Sequence, residues 1–304
     1  MSAFEAFMEG TIRTATPLAF AALGETVVER SGLINIGLEG AIIAGAFGGF
    51  VAAGFGGAWF GFAAAGISGI AVALVFAFFA VRLRADQIIA GTAISLLALG
   101  ITATLNRLLF GSDSSTAGIS TMETLPIPGL SSLPIIGRAL FSQPPITYLL
   151  YLAIPATWWW MYRTHAGLGL RATGEDPRAA IVAGVPVNRL QYGAVLFGGF
   201  MGGIAGGTLV IAQAGSFAEG MSAGRGFIAV AIVVLGRWHP VGAAGAAVVF
   251  GAASALQYLF QAMGWSLPYQ VFLALPYVLT LLVLASVTGR ASAPAGLGKW
   301  GTTD

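Results

Sequence analysis

Residues 41–81 read AIIAGAFGGFVAAGFGGAWFGFAAAGISGIAVALVFAFFAV, without one charged side chain. A helix that crosses the hydrocarbon core of a bilayer needs about 20 mostly apolar residues, so this run is too long for one crossing and long enough for two. Gly54-Phe55-Gly56-Gly57 supplies a turn inside it. The reading is a pair of helices, at about 33–53 and 59–81.

The composition of the whole chain agrees. Of its 304 residues, 57% are hydrophobic and 9% charged, against roughly 25% charged in a soluble domain. Fourteen basic and twelve acidic side chains cannot cover a water-soluble body of this size, but they can line the loops of a protein whose outer face meets lipid. The class is integral membrane protein, in the cell membrane. A net charge of +2, with Lys299 the only lysine, offers nucleic acid no clustered positive field. With no cysteine there is no disulfide framework, thiol nucleophile or thiolate metal site. Met1 to Gly10 carries Glu5 and Glu9 and lacks the basic and apolar regions of a cleavable signal peptide. The spans themselves are expected to direct insertion.

The other intervals between charges add Ile88–Asn106, Ile146–Tyr162 with an aromatic belt at Trp158-Trp159-Trp160, and Tyr192–Ala214. Two more helices fit the uncharged stretch Pro240–Gly289, broken near Gly264-Trp265-Ser266-Leu267-Pro268. Phe227–Gly236 spans only about half a hydrocarbon core, so it recruits flanking residues, is sheltered by neighbours, or is re-entrant. The first 32 residues are similar: Pro17–Leu23 is apolar, but Arg13, Glu25, Glu29 and Arg30 flank it closely. Between Gly111 and Pro144, the turn chemistry of Ser112-Asp113-Ser114-Ser115 and helix breakers at Pro126, Pro128, Pro134 and Pro144 predict the longest loop. The expected fold is an all-α polytopic bundle of eight to ten spans, one membrane domain over 1–304.

Orientation follows from the basic loops. Arg163, Arg171, Arg178 and Arg189 place 163–190 inside, and Arg82 and Arg84 with it, leaving 111–144 outside. If Phe227–Gly236 crosses, Arg237, Arg290 and Lys299 also fall inside, with Arg107, Arg138 and Arg225 as outward exceptions. Glycine is abundant, at 44 residues, and the four-residue spacing of Gly198-Gly199, Gly202-Gly203 and Gly206-Gly207 is that of helices whose backbones touch.

Material for catalysis is thin. His165 and His239 stand near arginines without a second ligand at metal spacing, and read as solvated loop residues. Gly220-Met221-Ser222-Ala223-Gly224 matches the hydrolase nucleophile pattern, but no strand is expected before it and no acid separates Ser222 from His239. It reads as a small-residue entry to the next helix. Transport has better material. Asn35 and Glu39 are expected at i and i+4 on one helix face just inside the apolar region, where a carboxylate needs water or a partner. Arg30 or Arg13 supplies that partner in one reading; in the other the pair forms a polar wall of a translocation path, together with Gln87, Asn106 and Gln213. Gln257 and Gln261 are further candidates, and hydrogen bonding between helices accounts for each glutamine and asparagine equally well.

Residues 173–188 are more specific. Asp176 is placed as N-cap, Pro177 at the first helical position, and Gly184 as the stop, followed by Pro186. The result is a helix of about two turns, with Ala179, Ala180, Ile181 and Ala183 forming an apolar surface on the cytoplasmic side. Such a helix is unstable alone, so it docks either on the protein's own helix ends or in a groove of a partner.

Three stretches resemble the permease subunits of ABC importers of the branched-chain amino acid, simple sugar and nucleoside group. They are Glu29-Arg-Ser-Gly-Leu-Ile-Asn-Ile-Gly-Leu-Glu-Gly40, Gly174-Glu-Asp-Pro-Arg-Ala-Ala-Ile-Val-Ala-Gly-Val185, and Met221-Ser-Ala-Gly-Arg-Gly-Phe-Ile-Ala-Val-Ala231 leading to Gly236-Arg-Trp-His-Pro240. The first and third look most like the purine nucleoside branch, with simple sugars next. The resemblance implies that 175–185 is a coupling helix, carried by Glu175, Asp176, Pro177, Arg178, Ala179, Ala180, Ile181, Ala183 and Gly184 and seated in a cytoplasmic ATPase subunit. The chain has no phosphate-binding loop of its own, so ATP and Mg belong to that partner. A second permease subunit and an extracytoplasmic solute-binding protein are also implied, with alternating access driven by closure of the ATPases. A self-contained secondary transporter or channel is the alternative, and would be expected to show carboxylate relays or paired discontinuous helices.

Overall fold

The computed structural model describes residues 3–111, 118–131, 136–262 and 293–299, with single positions at 274, 278 and 281. Four helical segments among them are long and apolar enough to cross a membrane: Leu38–Arg82, Gln87–Phe110, Val187–Ala214 and Pro240–Gln257. The fold is an all-α membrane bundle. Of the expected second helix of Pro240–Gly289, positions 274, 278 and 281 are described and are helical; its break near 264–268, and the Ser112–Ser115 turn with Pro134, lie outside the described residues.

Helix α1 is Ala3–Arg30 and α2 is Leu38–Ala77, prolonged by a π-helical turn, Phe78–Arg82. Inside α2, Gly57 has φ 78° and ψ 179°, a conformation open to glycine. Residues 49 and 65 would be ~24 Å apart along a straight helix, yet a Cβ on Gly49 would stand 3.1 Å from that of Ala65. The chain therefore folds back at Gly57, and α2 is the expected pair of antiparallel limbs. Its start differs from the expectation. Residues 33–35 are non-helical, because the N–H groups of Ile34 and Asn35 are taken by the side chains of Gln87 and Glu25. Asn35 is thus outside the helix that carries Glu39, and the two are not an i, i+4 pair.

The N-terminal segment is likewise more than a short apolar piece: α1 runs unbroken for 28 residues. Its polar residues enter the interior because Thr11, Thr16 and Thr26 return their hydroxyls to carbonyls one turn back, while Glu25 and Glu29 find partners on other segments.

Helix α3 is Gln87–Phe110, started by Asp86, whose carboxylate accepts from the N–H groups of Ile88 and Ile89. The Pro-rich loop is more ordered than expected. It holds a short helix, α4 (Ile136–Phe141), and a two-residue antiparallel ladder, β1 (Leu125–Pro126) with β2 (Ser142–Gln143). Pro126 lies within β1 and Pro144 follows β2, and the Tyr148 hydroxyl pins the ladder to the next helix by donating to Leu125 and accepting from the Gln143 N–H. That helix is α5, Pro145–Arg163, followed by α6 (His165–Glu175) and α7 (Pro177–Val182).

Helix α8 (Val187–Gly207) lies against both limbs of α2. A Cβ on Gly206 would meet the Ile42 carbonyl at 1.9 Å, and one on Gly203 would meet the Ala65 carbonyl at 2.1 Å. Backbone touches backbone, as the glycine spacing predicts. Beyond Gly207 the helix widens into a π turn, Thr208–Ala214, and stops at Gly215 with φ 70°. Irregular turns follow until α9 (Arg225–Leu235), and α10 is Pro240–Ala262.

Candidate functional site

The three stretches that carry the family resemblance are distant in sequence and meet around residues 29–40. The Trp238 indole N–H donates to Glu29. Arg30 Nε donates to the Trp238 carbonyl at 2.8 Å, and its terminal N–H reaches the Arg237 carbonyl at 3.4 Å. Arg237 and Trp238 have φ 56° and 53°, a left-handed pair costing roughly 1–2 kcal/mol per residue, and these bonds hold it in place. Gly32, at φ 92°, lies against Gly174, where a Cβ would meet the Arg30 carbonyl at 2.3 Å. The Gln191 amide donates to the Ser31 carbonyl at 3.3 Å, and Gly298 donates to that of Gly32 at 3.0 Å.

Glu39 completes the junction. Its carboxylate accepts from the Gly224 N–H at 2.9 Å and the Gly226 N–H at 2.7 Å, which are the first backbone donors of α9. Neither expected cation reaches it: Arg30 is engaged at Trp238, and Arg13 exchanges hydrogen bonds with Gln213. The charge is met instead by the positive end of a short helix. Gly220-Met221-Ser222-Ala223-Gly224 forms successive turns with Gly220 and Gly224 at positive φ, leading into α9 without a preceding strand among the described residues.

The five residues expected to line a path fall into two groups. Asn35, Glu39 and Gln87 surround the non-helical 31–37 segment; Gln87 accepts the Ile34 N–H at 2.7 Å, and Asn35 donates its own N–H to Glu25 at 2.9 Å. Asn106 and Gln213 stand at the other end of the bundle, with Gln213 half-buried against Arg13. Asn106 is 1% exposed and neither polar atom of its amide has a hydrogen-bond partner. Sequence reasoning passed over Glu25, Glu29 and Gln191 as functional positions, yet each has a buried oxygen without a partner. The signal available was a charge or amide in an apolar surrounding.

Beside Asn106, Arg107 makes a two-pronged bond to Glu219 at 2.8 and 2.9 Å, tying α3 to the irregular segment before α9. The bond holds the Glu219 carboxyl below its ordinary value. A group lowered on folding contributes above the usual carboxylate range and ceases to contribute as pH falls through its lowered value. Acidification should therefore loosen residues 215–224 in hydrogen exchange, and Glu219→Gln should remove that pH dependence; an acid response that persists in Glu219→Gln assigns the loosening to another group.

At the basic end, α7 is built as its residues require. Asp176 accepts from the N–H groups of Arg178 and Ala179 at 2.9 and 3.0 Å, and Pro177 takes the first position. The stop pairs the Gly184 N–H with Ile181 and the Val185 N–H with Ala180, with Gly184 at φ 80°. Ala180 departs from the expectation that it joins the apolar surface: it is 4% exposed, because this side of α7 rests on its neighbours α6 and α8. The outward face is Ala179, Ile181, Val182 and Ala183, and Val182, absent from the expected set, is 89% exposed against 51% for Ile181. Glu175 accepts the Ala295 N–H at 3.1 Å. His165 is exposed, and His239 packs its ring 5.2 Å from that of Tyr162; burial, and secondarily Arg30, push its pKa down. Among the described residues no three His, Asp or Glu side chains gather as metal ligands.

Residues 7–284 match the family described as the permease component of branched-chain amino acid transport systems. The chain is 37% identical to the guanosine ABC transporter permease protein NupQ of Bacillus subtilis over 95% of its own length and 93% of the relative's. It is 40% identical to the putative glucose ABC transporter permease protein TsgC13 of Haloferax volcanii, over 88% and 81%, and 32% identical to the nucleoside ABC transporter permease protein NupC of Lactococcus lactis, over 93% and 92%.

Proposed function

The chain belongs to the permease-component family of branched-chain amino acid transport systems, and from that premise we propose that it carries nucleosides inward, driven through α7 by a separate ATPase. It is a membrane-spanning permease subunit without an ATPase site of its own. The observation that carries the nucleoside reading is the near full-length similarity to two nucleoside permeases. Simple sugar is the second reading, favoured by the similarity to the putative glucose permease. Uptake by the reconstituted transporter, with unlabelled nucleosides or glucose as competitors, tests the choice. Competition by nucleosides alone is expected, and competition by glucose alone hands the function to the sugar reading.

In this reading residues 175–184 form the coupling element, with Ile181 and Val182 entering the ATPase. A second permease subunit and an extracytoplasmic binding protein complete the machine. The solute path follows two irregular segments, 31–37 and 215–224, since non-helical backbone at membrane depth belongs where it lines a cavity or is sheltered by protein. Asn35 and Gln87 serve its inner part, which Glu39 frames by anchoring α9, and Asn106 and Gln213 its outer part.

The unpartnered Asn106 amide then awaits a partner in another state of the cycle. Leaving a buried polar group unsatisfied costs about 1–3 kcal/mol. Asn106→Leu should raise the melting temperature of the transporter while slowing uptake. Unchanged uptake by this variant removes Asn106 from the path.

A further inference from the structure

Between α1, α5 and α8 lies a groove of about 480 Å³, walled by Val27, Ala156, Trp160, Gly193, Phe197 and Met201 with Arg189 at one end. Its surface is almost wholly apolar. Along α8 it runs from Arg189 to Met201, ~18 Å at 1.5 Å per residue, close to the ~15 Å depth of one leaflet's hydrocarbon. The Arg189 end is the end that also holds Arg30, Arg82, Arg163 and Arg237, and so faces the cytoplasm by the distribution of basic residues. Arg189 is exposed, and among the described residues it has no hydrogen-bond or ion-pair partner. Trp160 stands in the wall, a residue type at home at headgroup level. The groove has free room, because a Cβ added to Gly193 meets nothing within 4 Å.

The apolar lining and the length choose the occupant. A helix would bring a polar backbone and side chains to a lining that offers almost no polar partner, whereas a hydrocarbon chain has no polar backbone to satisfy and fits an apolar slot one leaflet deep. The unpaired guanidinium at the mouth adds a charge preference, since arginine binds phosphate through paired N–H groups. We propose that the groove is a binding site for an anionic phospholipid of the inner leaflet, with one acyl chain between α5 and α8 and its phosphate on Arg189. The site has a link to the rest of the molecule: a second cleft, of about 350 Å³, is lined by Ile181, Pro186 and the same Arg189. A lipid held there stands next to α7.

The test uses the intact transporter with its ATPase subunits, extracted from bilayers containing equal phosphatidylglycerol and phosphatidylcholine, with retained lipid counted by native mass spectrometry. One cation near the membrane surface predicts about a fivefold preference for phosphatidylglycerol. Arg189→Gln should bring the ratio close to one without changing the melting temperature in pure phosphatidylcholine. Gly193→Leu should lower retention of both lipids by filling the slot, and Ala156→Leu serves the same purpose if the first variant inserts poorly. An unchanged ratio in Arg189→Gln, or full retention by both slot-filling variants, overturns the proposal.

Discussion

Val182→Asp should reduce solute uptake by the assembled transporter at least about tenfold while the subunit inserts and melts as the wild type does. Val182 is 89% exposed on α7, so an aspartate there meets water in the isolated subunit and costs the fold almost nothing. In the coupling reading the same position is covered by the ATPase. Burying a valine contributes roughly 1.5–3 kcal/mol, and an unpaired carboxylate in its place adds a desolvation penalty of several kcal/mol; every 1.4 kcal/mol is a factor of ten. ATP hydrolysis should continue without uptake, or the ATPase should fail to bind. Ala180→Asp is the weaker test, because Ala180 is 4% exposed against the subunit itself and a buried aspartate confuses coupling with folding. Both quantities come from one preparation, uptake and hydrolysis measured side by side. Wild-type uptake by a stably inserted Val182→Asp subunit would end the case for α7 as the coupling element.

That contrast between positions two residues apart shows where the sequence is legible and where it is not. The start and stop of α7 were readable because capping chemistry is local: Asp176, Pro177 and Gly184 act on backbone within a few residues of themselves. The direction its faces point depends on α6 and α8, which no local rule describes. The same division holds for α2. A charge-free run with glycines in its middle announces a hairpin, and Gly57 turns it. The unwound start at 31–37 was hidden, because the side chains that draw Ile34 and Asn35 out of helical geometry, Gln87 and Glu25, lie on α3 and α1. Helix α1 was underestimated for a related reason: a hydropathy reading counts Glu25 and Glu29 against burial and has no knowledge of Trp238. Motif order located the stretches around residues 29–40, but not that they bond to one another.

Glu39 brings this division to a decisive measurement. The carboxylate joins the first helical limb of α2 to the first donors of α9, an 11-residue helix too short to cross a bilayer alone. A charge-assisted hydrogen bond contributes about 1.5–3 kcal/mol, and buried donors left without a partner cost a similar amount. Glu39→Ala removes both acceptors and should lower the quantity of folded subunit in the membrane. Glu39→Gln keeps one acceptor but turns an amide N–H toward the N–H groups it must meet, so the subunit should insert while α9 frays at its first turn. If Glu39 anchors α9, the Gln variant will show faster hydrogen exchange at residues 225–230 and a lower maximal uptake rate with an unchanged half-saturation concentration. If Glu39 touches the solute, half-saturation will rise while exchange at α9 stays as in the wild type. The two hydrogen bonds favour the anchor, and a variant that exchanges and transports like the wild type would leave Glu39 with neither role.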